Sequence, residues 1–229
     1  MVTGASGNLG SAVVDTLQDV CAGVVCVNFS DPRHGTARAG RQWKSRFAED
    51  RRHRHLQTRS LSGGCRQVPL RPSAGSMASS IRSAVSAWAL SMMTVWALWE
   101  KFMSMNAKTA YCISAAVLKP MQEAGYGRIV HISAAPGQKA GARQAAYAAS
   151  KSAVLRLTEA IAAENRKHGI SANCILPGTI DTPQNREAMP DAKTDTWVKP
   201  ESIARLIAFL MTPEGGVTTG GAIPATGKV

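Results

Sequence analysis

The sequence is poor in aromatic residues, at 5% of 229 positions, and in charged ones, at 18%. With 45% hydrophobic residues, this composition excludes a wholly disordered chain and leaves enough apolar side chains for a core. The five cysteines (Cys21, Cys26, Cys65, Cys112 and Cys174) form no Cys-x-x-Cys pair. That excludes a disulfide scaffold and gives no zinc-site spacing. The histidines add no metal site: His53 and His55 stand among arginines that repel a cation, and His131 and His168 read as structural. No secretory leader is read, because Met1 runs straight into a glycine loop, so a reducing cytoplasm is the expected compartment.

What the chain has in excess is positive charge, +12 in all. Between Asp31 and Arg82 there are 12 Lys and Arg against 3 Asp and Glu, and the rest of the chain holds 15 against 12. The basicity therefore belongs to one segment. That segment has only Trp43 and Phe47 for stacking and no nucleic-acid motif, so specific nucleic-acid binding is not expected. A run from Ser83 to Trp99 lacks charge, but at 17 residues with several Ser and Thr it suits a buried helix better than a membrane span.

Texture divides the chain into 1–30, an irregular basic stretch 31–93, and 94–229, read together as a single domain. Leu9, Val13, Val14 and Leu17 follow the glycine loop at helical spacing, and Val24–Val27 reads as a short strand. Later, Trp99–Met121 reads as a helix, Arg128–Ile132 as a strand, Tyr147–Lys167 as a helix and Ile170–Leu176 as a strand. A helix follows Pro200, and 222–224 can close as a final strand. Helices alternating with short apolar strands give an α/β fold, a parallel sheet covered on both faces.

Two local patterns carry chemistry. In Val2-Thr3-Gly4-Ala5-Ser6-Gly7-Asn8-Leu9-Gly10 the glycines recur at steps of three before a helix. Glycine lets the backbone approach a pyrophosphate, and the helix start offers free N–H groups. Gly4, Ser6, Gly7, Asn8, Leu9 and Gly10 are thus candidates for dinucleotide binding. The strand that follows ends near Asn28 without a carboxylate and with Arg33 nearby, a slight lean to NADP over NAD. In Tyr147-Ala148-Ala149-Ser150-Lys151, a phenol and an ammonium share one helix face, where the cation would draw the tyrosine pKa down and fit it for proton transfer.

With Asn106 before them and Pro177-Gly178-Thr179-Ile180-Asp181-Thr182 after, these motifs resemble those of the short-chain dehydrogenase/reductase family. The resemblance covers about 70% of the chain, 1–30 and 95–229. It implies a Rossmann-like sheet and hydride transfer between nicotinamide and a carbonyl, alcohol or C=N carbon. It implies Tyr147 as acid/base, Lys151 on the ribose, and Asn106 ordering a water. Pro177, Gly178, Ile180 and Thr182 would line the cofactor. A homodimer or homotetramer acting on a small molecule, with no membrane partner, is the family's habit. The run Ile180–Arg186, with Met189-Pro190-Asp191-Ala192 and Trp197, resembles the dihydropteridine reductase branch.

The chain also departs from the family. The usual serine, 13 residues before the tyrosine, is Ala134; Ser133, one step early, is the candidate catalytic serine in its place if the loop rearranges, since a one-residue slip usually reverses side-chain direction. Only Met1 and Val2 precede the glycine loop, so the first strand is expected to be truncated and the middle strands disturbed. The abrupt borders of 31–93 are what compensating frameshifts would leave. The alternatives are an inactive or weakly cofactor-binding remnant of the family, and a polyanion binder acting through the basic segment.

Overall fold

A computed structural model describes residues 1–19, 26–27 and 96–227. The basic stretch, Asn28 and Arg33 lie outside the described residues. Strand β1 is Val2–Thr3, and it pairs in parallel with β2, Cys26–Val27. Between them α1, Asn8–Gln18, buries Val13, Val14 and Leu17. A second sheet holds β3, Gly127–Ile132, β4, Ile170–Pro177, and β5, Ala222–Ala225, in that order and all parallel. The α/β, Rossmann-like class holds, with a first strand of two residues. Among the described residues, no strand joins the two sheets.

Strand β4 is buried along its whole length, as expected of a central strand covered on both faces. Ala172, Cys174 and Leu176 face the long helix α5, Ala145–Asn165, with Val154, Leu155, Ile161 and Ala162 against them. Ile175 faces the other way, into a cluster built from α1 and α7, Pro200–Met211. There Val13, Val14 and Leu17 meet Ile203, Ala204, Ile207 and Leu210. The N-terminal piece is therefore held to the larger sheet through helix packing.

The helix expected over Trp99–Met121 runs from α2, Trp96–Phe102, through a π-helical stretch, Met103–Lys108, into α3, Thr109–Ala124. Met105, in the π-helical stretch, is 49% exposed. Gly125 closes α3 at φ 62° and Gly169 closes the turn after α5 at φ 70°, left-handed positions that suit glycine. Two short helices escape periodicity: α4, Ala135–Gln138, and α6, Pro183–Ala188. Among the described residues, no helix is long and apolar enough to cross a membrane.

Candidate active site

Two clusters stand at the carboxyl ends of the strands. The first gathers where β3 ends against the start of α5. Lys151 is fixed at both ends: its Nζ donates to the Ile132 carbonyl at 3.2 Å, and its own carbonyl accepts from Ser133 Oγ at 2.8 Å. Ser133 is buried and its hydroxyl faces the helix backbone, as a one-residue slip dictates. Its geometry supports the lysine rather than an approach to substrate. Gly137 is required beside it, since a Cβ there would lie 2.6 Å from Ser133 Oγ.

Tyr147 stands one turn before Lys151, with the Lys151 Nζ 5.9 Å from its ring centroid. Phe102 meets it edge-on at 5.5 Å and 70°. The expectation that the lysine lowers the tyrosine pKa is corrected here. Burial dominates both groups, pushing the Tyr147 phenol up and the Lys151 ammonium down to about 8.

Asn106 joins this cluster from the π-helical stretch. Its Nδ2 donates to Ser150 Oγ at 2.9 Å, and Ser150 in turn donates to the Tyr147 carbonyl at 2.8 Å. Ser150 is fully buried. Sequence reasoning passed over it, although a serine on the apolar stripe of α5 is itself a signal. π-helical turns also mark functional positions, and no sequence pattern announces this one.

The second cluster is formed by the glycine loop and the segment after β4. Gly4 turns at φ 66°, and Gly7 N–H donates to its carbonyl at 2.9 Å. A Cβ on Gly10 would run into that same carbonyl, so the third glycine is needed for the helix to leave the loop so tightly. Ser6 is exposed and Leu9 half-buried in this loop. Pro177 ends β4, Gly178 N–H bonds the Ala225 carbonyl at 3.0 Å, and Ile180 bridges to Val198. Thr182 caps α6 by accepting from Asn185 N–H. A cavity of about 360 Å³ lies between Asn8 and Ser11 on one side and Thr182 and Pro183 on the other, with Arg186 and Lys199 on its wall. Asn8 and Thr182, read separately from sequence, thus line one space. The Arg186 guanidinium bonds Asp181 through two nitrogens and holds its carboxyl below the usual range.

The loop geometry fits a nicotinamide dinucleotide. Gly4 adopts a conformation a side chain resists, Gly10 leaves no room for a Cβ, and the open N-terminal turn of α1 faces the cavity. Among the described residues, no group of three metal-ligating side chains exists.

Comparison with known proteins agrees with this geometry. The description "short chain dehydrogenase" matches residues 86–193. An acetoacetyl-CoA reductase of Paracoccus denitrificans is 34% identical over 131 residues, 53% of this chain and 54% of that protein. A solved 4-hydroxyisoleucine dehydrogenase mutant complexed with NADH and succinate is 30% identical, with TM-score 0.52, over 56% of this chain and 58% of its own. A gluconate 5-dehydrogenase of Burkholderia cenocepacia J2315, in complex with NADP and tartrate, is 26% identical, with TM-score 0.52, over 56% of this chain and 55% of its own. The chain spans about half the length of the curated relatives it matches. Over the matched part of the chain, its motifs, strand order and matches are similar to those of short-chain dehydrogenases/reductases. Nothing in these likenesses singles out a dihydropteridine reductase branch, nor NADP over NAD.

Proposed function

We propose that the protein is an NAD(P)-dependent oxidoreductase of the short-chain type, with Tyr147 as the proton donor and acceptor. The observation that carries this reading is the convergence of Tyr147, Lys151, Asn106 and Ser150 at the end of β3. Bound nicotinamide would supply or accept the hydride. Tyr147 would give a proton to the substrate oxygen in reduction and take it back in oxidation. Lys151 would hold positive charge beside the phenol and offset the upward push of burial. Asn106 would order a water that returns the proton. Gly4 to Gly10, Pro177, Gly178, Ile180 and Thr182 would hold the dinucleotide, and Asn28 would favour NADP. A cytoplasmic homodimer or homotetramer, folded as one domain, completes the reading.

Ala134 bears on the substrate. With no hydroxyl there, a carbonyl oxygen receives one side-chain donor rather than two, which favours an acceptor already activated by conjugation or as C=N. A dihydropterin-like compound is of that kind. Ala134→Ser should then raise turnover of simple ketones by about tenfold; an unchanged rate would remove the argument.

The test is a fluorescence titration with NADH and NADPH, with Lys151→Ala as control. Saturable micromolar binding that weakens at least tenfold in the variant supports the reading. A folded protein that binds neither overturns it. The second reading is a remnant that keeps the fold without the activity. It is favoured by Ala134, which stands where the family's serine would be.

A further inference from the structure

The segment after β4 is tied into one unit. Asn185 Nδ2 donates to the Ile180 carbonyl at 2.7 Å, and Arg186 grips Asp181 at 2.6 and 2.8 Å. Asp181 N–H bonds the Val198 carbonyl at 2.8 Å, and Thr182 caps the short helix α6. From this unit Gln184 reaches across 176 positions of sequence, where its Oε1 accepts a hydrogen bond from Asn8 Nδ2. Asn8 is the first residue of α1 and stands on the rim of the cavity described above. The bond therefore ties Asn8, on one side of the cavity, to the segment that carries Thr182 and Pro183 on the other, with Arg186 and Lys199 and the carboxylates of Asp181 and Glu201 also on the lining.

We propose that Asn8 and Gln184 form a latch that closes the α6 strap over the glycine loop, making Gln184 a positioning residue that slows the departure of a pyrophosphate-bearing ligand from the cavity. The ligand's identity as a nicotinamide dinucleotide rests on the reading above; the latch itself does not. The strap carries its own hydrogen bonds, so it moves as a piece, and Gln184 couples that piece to the loop. An opening strap uncovers the cavity, and a closed one walls it.

The test uses the full chain as wild type, Asn8→Ala, Gln184→Ala, the double variant of these two, and Gln184→Glu. Both positions lie toward the surface, so thermal melts should shift by no more than a degree or two. The first measurement is hydrogen exchange without ligand. Gly7 and Ser11 donate their amides within the loop and first turn. Their exchange should quicken about 3- to 10-fold in Gln184→Ala, the worth of one exposed hydrogen bond. Gln184→Glu keeps the acceptor oxygen and should keep the protection. The second measurement is stopped-flow dissociation of NADH and NADPH. The rate should rise about 3- to 10-fold in each alanine variant and no further in the double variant. Loop exchange at the wild-type rate in Gln184→Ala overturns the latch, whether or not the protein binds dinucleotide. Additive effects, or an unchanged off-rate in a protein that binds, overturn its action on the ligand. A wild type that binds neither nucleotide overturns the oxidoreductase reading alone, and the exchange data still decide the latch.

Discussion

At the scale of single residues, the buried lysine shows a conflict between stability and chemistry. Burial lowers the Lys151 pKa to about 8, so at neutral pH the fold carries an ammonium that it would rather leave in water. Replacing it with an apolar chain of similar length removes that cost along with the bond to the Ile132 carbonyl. Lys151→Met should therefore stabilise the protein by about 1–2 kcal/mol at pH 7 in urea unfolding, while abolishing cofactor binding. A lower unfolding midpoint would show that the ammonium is a net support. His131 behaves differently. The Thr158 hydroxyl gives its proton to the Val154 carbonyl, so it accepts from His131 Nδ1–H, and Ser114 donates to the bare Nε2. Burial lowers this pKa to about 4, against 6.5 for a free histidine. The unfolded chain thus takes up a proton between those values and the folded one does not. Its contribution, about 3 kcal/mol, is full above pH 6.5 and drains away as pH falls to 4. Unfolding at pH 7 and pH 4.5 should show this loss, and His131→Asn should shrink it. The sequence made Tyr147, Lys151 and the glycines legible because their spacing is unusual. It left the pKa directions illegible, because these follow from depth of burial, which an i,i+4 spacing does not encode.

At the scale of elements, α2 to α3 and α5 run side by side with polar rungs between them. Asn106 meets Ser150, Ser114 meets Thr158 through His131, and Gln122 donates to Asn165 at 2.6 Å. Each partner recurs after seven or eight residues, about two helical turns, which keeps the rungs on one face. The rungs interrupt otherwise apolar stripes, so they fix how far one helix slides along the other. Thr158→Val keeps the shape and strands the His131 N–H, and should cost about 1–3 kcal/mol in chemical unfolding. Pairing it with His131→Leu should recover part of that loss, because both partners are then gone. Full additivity would argue against the rung. Most regular elements were legible: α5 and β4 begin within two residues of where periodicity sets them. The π-helical stretch was not, since its sequence, Met-Ser-Met-Asn-Ala-Lys, reads as plain α-helix. The short helices α4 and α6 were missed because four and six residues carry no period.

At the scale of the whole molecule, two features compete. The later part of the chain rests on a three-stranded piece of sheet, whereas the glycine loop is joined to it, among the described residues, by the packing of α1 on α7 and by the Asn8–Gln184 bond. A ligand bridging the loop and the strap should therefore stabilise the fold by mass action. At 100 times its dissociation constant, NADPH or NADH should add about 2.7 kcal/mol, read as a rise of a few degrees in melting temperature. The basic excess of residues 31–82 predicts salt-dependent retention on heparin, lost when that stretch is deleted, with no preference among DNA sequences. The shortness of β1 was legible from the residues ahead of the glycine loop, and its parallel pairing with Cys26–Val27 was not.

The packing of α1 on α7 has a consequence for synthesis on the ribosome. Among the described residues, Val13, Val14 and Leu17 pack against Ile203 to Leu210, about 190 positions later in the chain. At about 5–20 residues per second, those apolar side chains wait on the order of 10–40 s before their cover is made. For that interval the nascent chain offers a greasy helix to whatever binds exposed apolar surface, so its yield should depend on chaperone supply more than its folded stability suggests.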